Sequence, residues 1–218
     1  MTLYRYIVMT LLLLCCVPVR TSLSAKECRC VTAKLKKNFQ YVTFKTENGL
    51  EYYEISRTNP DDYEAVVCGI ANKKGKVLIP YYQDYVNITP ILLQDFGSDT
   101  FRSDSYYWAL QTTDNQFGIA DKNGKTIIPC TPCDGIYLVE YRTPKGCSVD
   151  YDYERDGWAF VMHGYSSCAL FDEKGNVLIP LSRGYTDIFP KVDEAGVKYI
   201  EFLKDEKIGR CDAKGKEL

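Results

Sequence analysis

Apolar and polar positions alternate along this chain in short runs, which is the pattern of half-buried strands. No stretch keeps a 3.6-residue apolar period long enough for a convincing helix. The best candidate, residues 34–40, is too short to stand alone. The short runs also recur: GIANKKGKVLIP (residues 69–80), GIADKNGKTIIP (118–129) and ALFDEKGNVLIP (169–180) restate one another, and IGRCDAKGK (208–216) opens a fourth copy. Self-similarity of this kind marks an array of equivalent supersecondary units.

Within each copy a short apolar strand precedes a turn and a β-branched strand follows it, closed by Pro80, Pro129 or Pro180. Proline cannot donate to a ladder, so it fixes where pairing stops. A further strand lies upstream: residues 107–111, 157–161 and 198–202, with Trp108 and Trp158 50 residues apart. The unit reads as a three-stranded meander of about 50 residues. An N-terminal hairpin, residues 39–55 around Asn48 and Gly49, lacks the Ile-Pro ending and reads as a degenerate unit.

The turns explain their own residues. Asn72 and Gly75, Asp121 and Gly124, Asp172 and Gly175, and Asp212 and Gly215 share one spacing. In a type I turn the first side chain accepts backbone N–H groups and the fourth residue enters positive φ, so the acids act as turn-formers rather than catalytic carboxylates.

The expectation is an all-β fold of tandem β-meander/hairpin repeats in an open curved or solenoid-like array, with a small β-propeller closed by the N-terminal strand as the alternative. Residues 26–218 form the repeat domain, with units at 26–58 (degenerate), 59–88, 106–136, 157–188 and 197–218.

The recurring G-[IL]-x-[DN]-x-x-G-[KN]-x-[LI]-I-P, with a following Tyr or Asp and Ile as in Gly184, Tyr185, Thr186, Asp187 and Ile188, resembles the WG repeat, a β-repeat of many bacterial and often exported proteins. The resemblance covers about residues 51–218. The naming Trp is replaced by Cys68, Phe117, Cys168 and Ile208, and the following Gly by Ala169. Such a resemblance implies a repeat scaffold that mediates interactions.

The N-terminus adds a destination. Arg5, the apolar run of residues 7–19 and the small residues before Lys26 read as a signal peptide over residues 1–25. The apolar run is short for a membrane span. Cys15, after Leu12, Leu13 and Leu14, offers the alternative of a lipidated anchor. Export places the chain in the periplasm, at the cell surface or outside the cell. Residues 26–218 carry 25 basic and 29 acidic side chains, a net of −4, which speaks against nucleic-acid or anionic-membrane binding driven by overall charge.

Eight cysteines follow the signal: Cys28, Cys30, Cys68, Cys130, Cys133, Cys147, Cys168 and Cys211. An even number in an exported chain suits disulfides, and free core thiols are the alternative. Cys130 and Cys133 form a C-x-x-C pair, a candidate disulfide or redox site. A zinc site joining them to Cys28 and Cys30 fits poorly, because one residue between ligands is tighter than zinc knuckles use. His163 is the only histidine, so any Cys-His or Ser-His chemistry depends on it, and a turn histidine is the simpler reading. No phosphate-cradling glycine loop, catalytic constellation, metal site or cofactor site is expected.

Eighteen tyrosines cluster at strand ends and between copies, where Tyr81, Tyr82, Tyr106, Tyr107, Tyr151 and Tyr153 make a candidate binding face for a protein or glycan. Cross-strand packing is the competing reading. The leading functional expectation is an exported, non-catalytic binding module whose segments 81–105, 130–156 and 181–196 carry specificity. A thiol-disulfide protein using Cys130 and Cys133, and a purely structural envelope component, are the alternatives.

Overall fold

The structure, a computed structural model, describes residues 25–58, 66–81, 84–94, 101–144 and 153–218. The signal segment, Tyr82, Cys147 and Tyr151 lie outside them. Among the described residues it is all-β, with four antiparallel sheets and one short α-helix, α1 (Ala25–Leu35).

Four strands make the first sheet: β1 (Tyr41–Glu47), β2 (Leu50–Thr58), β3 (Val66–Asn72) and β4 (Val77–Ile79). The second contains β5 (Tyr85–Gln94), β6 (Phe101–Thr112), β7 (Gln116–Asp121) and β8 (Thr126–Pro132). The third contains β9 (Gly135–Pro144), β10 (Tyr153–His163), β11 (Cys168–Asp172) and β12 (Val177–Ile179). The fourth contains β13 (Asp187–Val192), β14 (Lys198–Lys204) and β15 (Lys207–Asp212). Each sheet runs in chain order, strand beside consecutive strand.

The expected tandem meanders are present, in sheets of four, four, four and three strands. β5, β9 and β13, expected as inter-repeat loops, are first strands. β5 and β13 contain Pro90 and Pro190, which a strand tolerates only where one edge faces outward, and both are edge strands. The N-terminal hairpin is not a separate degenerate unit either: β2 pairs with β3 from Tyr52↔Asn72 to Thr58↔Val66, so it is the first half of the first sheet.

The sheets stack in chain order, and every core lies between neighbours. Tyr52, Ile70 and Ile79 of the first sheet pack with Ile88, Trp108 and Leu110 of the second. Ile119 and Ile128 then meet Phe160 and Met162 of the third, whose Val161, Leu170 and Ile179 meet Ile188, Ile200 and Phe202 of the fourth. Each sheet thus has a leading face towards its predecessor and a trailing face towards its successor, as period-2 alternation dictates.

None of the four buried clusters joins the first sheet to the fourth among the described residues. The N-terminal strand β1 is an edge strand of the first sheet and does not complete the fourth, so the closure that a propeller would need does not form among the described residues. The array is open.

Its two ends differ. The leading face of the first sheet (Tyr53, Ile55 and Ala71) is covered by α1 through Cys28, Val31 and Leu35. These apolar positions at i, i+3 and i+7 are a helical stripe, and the helix is stabilised by the sheet beneath it rather than by its own length. Among the described residues, the trailing face of the fourth sheet has no sheet behind it. On the third strand, the central trailing-face position is Ile70, Ile119 and Leu170 in the first three sheets, each fully buried. Arg210 stands there in the fourth, paired with Glu201 on β14. A polar outer face on a terminal repeat is what keeps an open array soluble.

Candidate functional site

The repeated carboxylates settle first, because the backbone uses them. Asp121 Oδ1 accepts the N–H groups of Asn123 and Lys125, Asp172 Oδ1 those of Lys174 and Asn176, and Asp212 Oδ1 those of Lys214 and Lys216, all at 2.8–2.9 Å. Asn72 does the same with its amide oxygen at 3.0 Å. A fifth such turn, Asp193 to Gly196 between β13 and β14, accepts from Ala195 and Val197. The same Asp-x-x-Gly spacing marks it in the sequence. Asp212 is held below the ordinary carboxylate value chiefly by the Lys216 N–H. Each of these acids thus spends Oδ1 on two backbone N–H groups of its own turn.

The cysteines sit apart from one another. All seven that are described are free thiols. Cys130, in β8, packs with the core between the first and second sheets, whereas Cys133 is 2% exposed in the core between the second and third. The C-x-x-C pair therefore spans two cores, and it lies on a strand end with no helix N-terminus beside it. Burial pushes both thiols up from their ordinary value, the opposite of what a reactive thiolate needs. Cys28 and Cys30 are on α1, at the far side of the first sheet. No cluster of three or more metal-ligating side chains forms among the described residues.

Cys68 and Cys168 explain the slot that departs from the repeat pattern. Each buried thiol points at the chain entering the next element, Cys68 towards the Val86 carbonyl at 3.5 Å and Cys168 towards that of Thr186 at 3.1 Å. His163 ends β10, with Nδ1 3.6 Å from Cys168 Sγ and its ring edge-on to Tyr137. Burial raises Cys168 as well, so the pair is a packed thiol and a turn histidine rather than an activated nucleophile.

Among the described candidate tyrosines, Tyr106 and Tyr107 do not share a face. Tyr106 and Tyr107 are consecutive in β6 and so point to opposite sides. Tyr106 packs edge-on to Trp108 towards the first sheet, and Tyr107 edge-on to Phe160 of the third, with ring centroids at 5.4 and 4.9 Å. Trp158 Nε1 donates to the Tyr107 hydroxyl at 2.9 Å, which donates in turn to the Glu173 carbonyl at 3.2 Å. Burial raises both phenols. Tyr81 is half-buried under the Arg57 guanidinium, 4.5 Å from the ring centroid. The backbone of Tyr153 pairs with Pro144 at the start of β10.

Register also separates the two tryptophans. Tyr107↔Asp121 and Ala159↔Asp172 are equivalent pairs, so Trp108 corresponds to Phe160, and Trp158 to Tyr106. The equal spacing in sequence hides a turn between β10 and β11 that differs from the one between β6 and β7.

By the same register Tyr52, Tyr107, Ala159 and Tyr199 are equivalent trailing-face positions. Tyr52 meets Trp108 edge-on at 5.1 Å, and Tyr107 meets Phe160 in the same way. Tyr199 occupies that receiving position on the open face of the fourth sheet. The same face carries Phe189 (49% exposed) and, further along β14 and β15, Leu203 and Ile208 (73% exposed), with Arg210 5.0 Å above the Tyr199 ring. Glu201 binds Lys191 Nζ at 2.6 Å and Arg210 at 3.7 Å. A groove lined by Val197, Tyr199, Arg210, Asp212 and Leu218 runs beside them. Sequence reasoning missed this surface, because nothing local distinguishes Tyr199 from the buried tyrosines of the earlier units.

Set against known protein families, curated proteins and solved structures, the chain matches none of them.

Proposed function

We propose that the chain is an exported, non-catalytic repeat module that binds a protein partner through the trailing face of its fourth sheet. One observation carries this reading. The face that receives the next sheet three times within the molecule is left open the fourth time, and it keeps its receiving tyrosine. Half-buried Tyr199 with exposed Phe189 and Arg210 around a charged centre matches the residue types enriched at protein interfaces. The sequence repeat, with its resemblance to WG repeats, supports the interaction role, and the apolar N-terminal segment supports export. The placement of the thiols and carboxylates favours no enzymatic reading.

Photo-cross-linking side chains introduced in place of Phe189 and Ile208 test the assignment, with Val177, an exposed apolar residue at the edge of the third sheet, as the control position. Capture of one common protein from both face positions, and not from Val177, is the expected result. Equal labelling from all three positions would reject the face.

A further inference from the structure

The opposite end of the stack carries a different surface. The described residues of α1 and the first sheet, 25–58 and 66–81, hold ten basic and four acidic side chains, although residues 26–218 together have a net charge of −4. Two clusters distant in sequence produce this excess, and the fold brings them together. Arg29, Lys34, Lys36 and Lys37 are exposed on α1 and just after it. Lys73, Lys74 and Lys76 belong to the turn between β3 and β4, whose Gly75 lies against the helix: a Cβ there would be 3.0 Å from Val31 Cγ1 and 3.9 Å from Leu35.

The nearby acids neutralise little of it. Glu51 takes Lys73 at 3.6 Å, and Glu54 takes Lys45 at 3.6 Å. The Glu47 carboxylate accepts the Tyr52 hydroxyl. Among the described residues Arg29, Lys34, Lys36, Lys37, Lys74 and Lys76 form no ion pair. With Asp61, Asp62 and Glu64, which lie outside the described residues, the whole stretch 25–81 still has ten basic against seven acidic side chains.

We infer that this basic end cap docks on an anionic phospholipid surface, which would hold the first sheet towards a membrane and the open face of the fourth sheet away from it. Charge complementarity supports the ligand class, since each Lys or Arg brought near an anionic bilayer strengthens binding about fivefold. Position in the chain favours lipid over other polyanions. The apolar residues 7–19 end six positions before Ala25, and Cys15, the residue suited to lipidation, is ten positions away. Ten extended residues reach at most about 35 Å, so any anchoring through this segment keeps α1 at the bilayer surface. Among the described residues α1 is the last layer of the stack, with no further sheet to obstruct a broad, flat partner. The inference goes beyond the proposed protein-binding role and does not depend on it.

Flotation of the full chain with vesicles tests it, comparing neutral phosphatidylcholine with a mixture of phosphatidylcholine and anionic phosphatidylglycerol, whose negative surface potential attracts basic segments. Insertion of the apolar N-terminal segment contributes to both, so the difference between them reports the basic cap. The expected result is at least tenfold tighter binding to the anionic vesicles, lost in about 0.5 M salt, where the Debye length falls to a few ångströms. Lys34→Gln, Lys36→Gln and Lys37→Gln combined, and separately Lys74→Gln with Lys76→Gln, should each remove most of that preference, with the circular dichroism spectrum unchanged. Equal binding to both vesicle types, a preference that survives both sets of substitutions, or binding to heparin or duplex DNA as tight as to the anionic vesicles would overturn the assignment.

Discussion

Gly175 rests against the backbone carbonyl of Ile127 in the preceding sheet, so closely that a Cβ at this glycine would sit less than 3.0 Å from that oxygen. Gly124 on Leu78 and Gly215 on Leu178 repeat the arrangement. The turn glycine therefore has two duties. It takes a positive φ, +84° at Gly175, and it lets one repeat seat on the strand of the last. Gly184 supplies the comparison, because it also has a positive φ, 69°, but nothing lies within 4 Å of its added Cβ. Gly175→Ala should cost about 3 kcal/mol or more and Gly184→Ala about 1 kcal/mol, since strain acts alone in the second and with a backbone clash in the first. Urea unfolding of the two variants measures the difference, and equal losses would remove the seating role.

The turn carboxylates give a second expectation. Asp172→Ala removes the acceptor of two backbone N–H groups and should destabilise by about 1–2 kcal/mol. Asp172→Asn keeps the oxygen, as Asn72 does in the first sheet, and should recover most of that loss in the same unfolding measurement.

Thiol accessibility follows from the two-core placement of the C-x-x-C pair. Cys30 is exposed, whereas Cys68, Cys133, Cys168 and Cys211 are buried. Alkylation of the folded protein, mapped by mass spectrometry, should modify Cys30 at least tenfold faster than any of those four, with Cys130 slow as well, because burial both shields the sulfur and keeps it protonated. A fast-reacting Cys130, or a Cys130–Cys133 bridge in the native protein, would restore the redox reading.

The dependence on pH should be two-sided. Glu217 lies below its ordinary value of 4.5, held ionised first by the Tyr185 hydroxyl and then by Arg183. Its contribution is complete above that ordinary value and is lost as pH falls through the lowered one. Tyr185 lies above its ordinary value of 10.0, raised first by burial and next by Glu217. A phenol kept neutral in the fold stabilises fully below pH 10.0 and ceases to do so as pH rises through the folded value. Thiols raised above 9.0, such as Cys211, move the alkaline decline lower. Melting temperature should form a plateau from about pH 5 to 8 and fall on both sides. Glu217→Gln should shrink the acid limb.

How far the sequence foretold this molecule depends on the kind of interaction involved. Local chemistry was legible: Asn72, Asp121, Asp172 and Asp212 form their turns as the spacing implies, because the acceptor and donors lie within four residues. Long-range arrangement was not. β5 and β13 read as loops because Pro90 and Pro190 interrupt them, and only the sheet shows that their outward edges need no donor. α1 went unseen because Cys28, Val31 and Leu35 form an apolar stripe only once the first sheet supplies something to cover. Tyr107 and Tyr199 look alike in sequence, yet Phe160 of the next sheet packs on the first, and among the described residues only Arg210 of its own sheet lies over the second.

The most direct test of the central claim sets the repeat carboxylates against the open face, using the partner found by cross-linking. Asp121→Asn with Asp172→Asn removes two repeated charges while keeping both turns, and Tyr199→Ala with Arg210→Ala empties the centre of the trailing face. Titration of the partner should give wild-type affinity for the first variant and a loss of at least tenfold for the second, the size of effect expected when aromatic and arginine anchors are truncated. A weakened first variant beside an unaffected second would contradict the account and return function to the repeated turns.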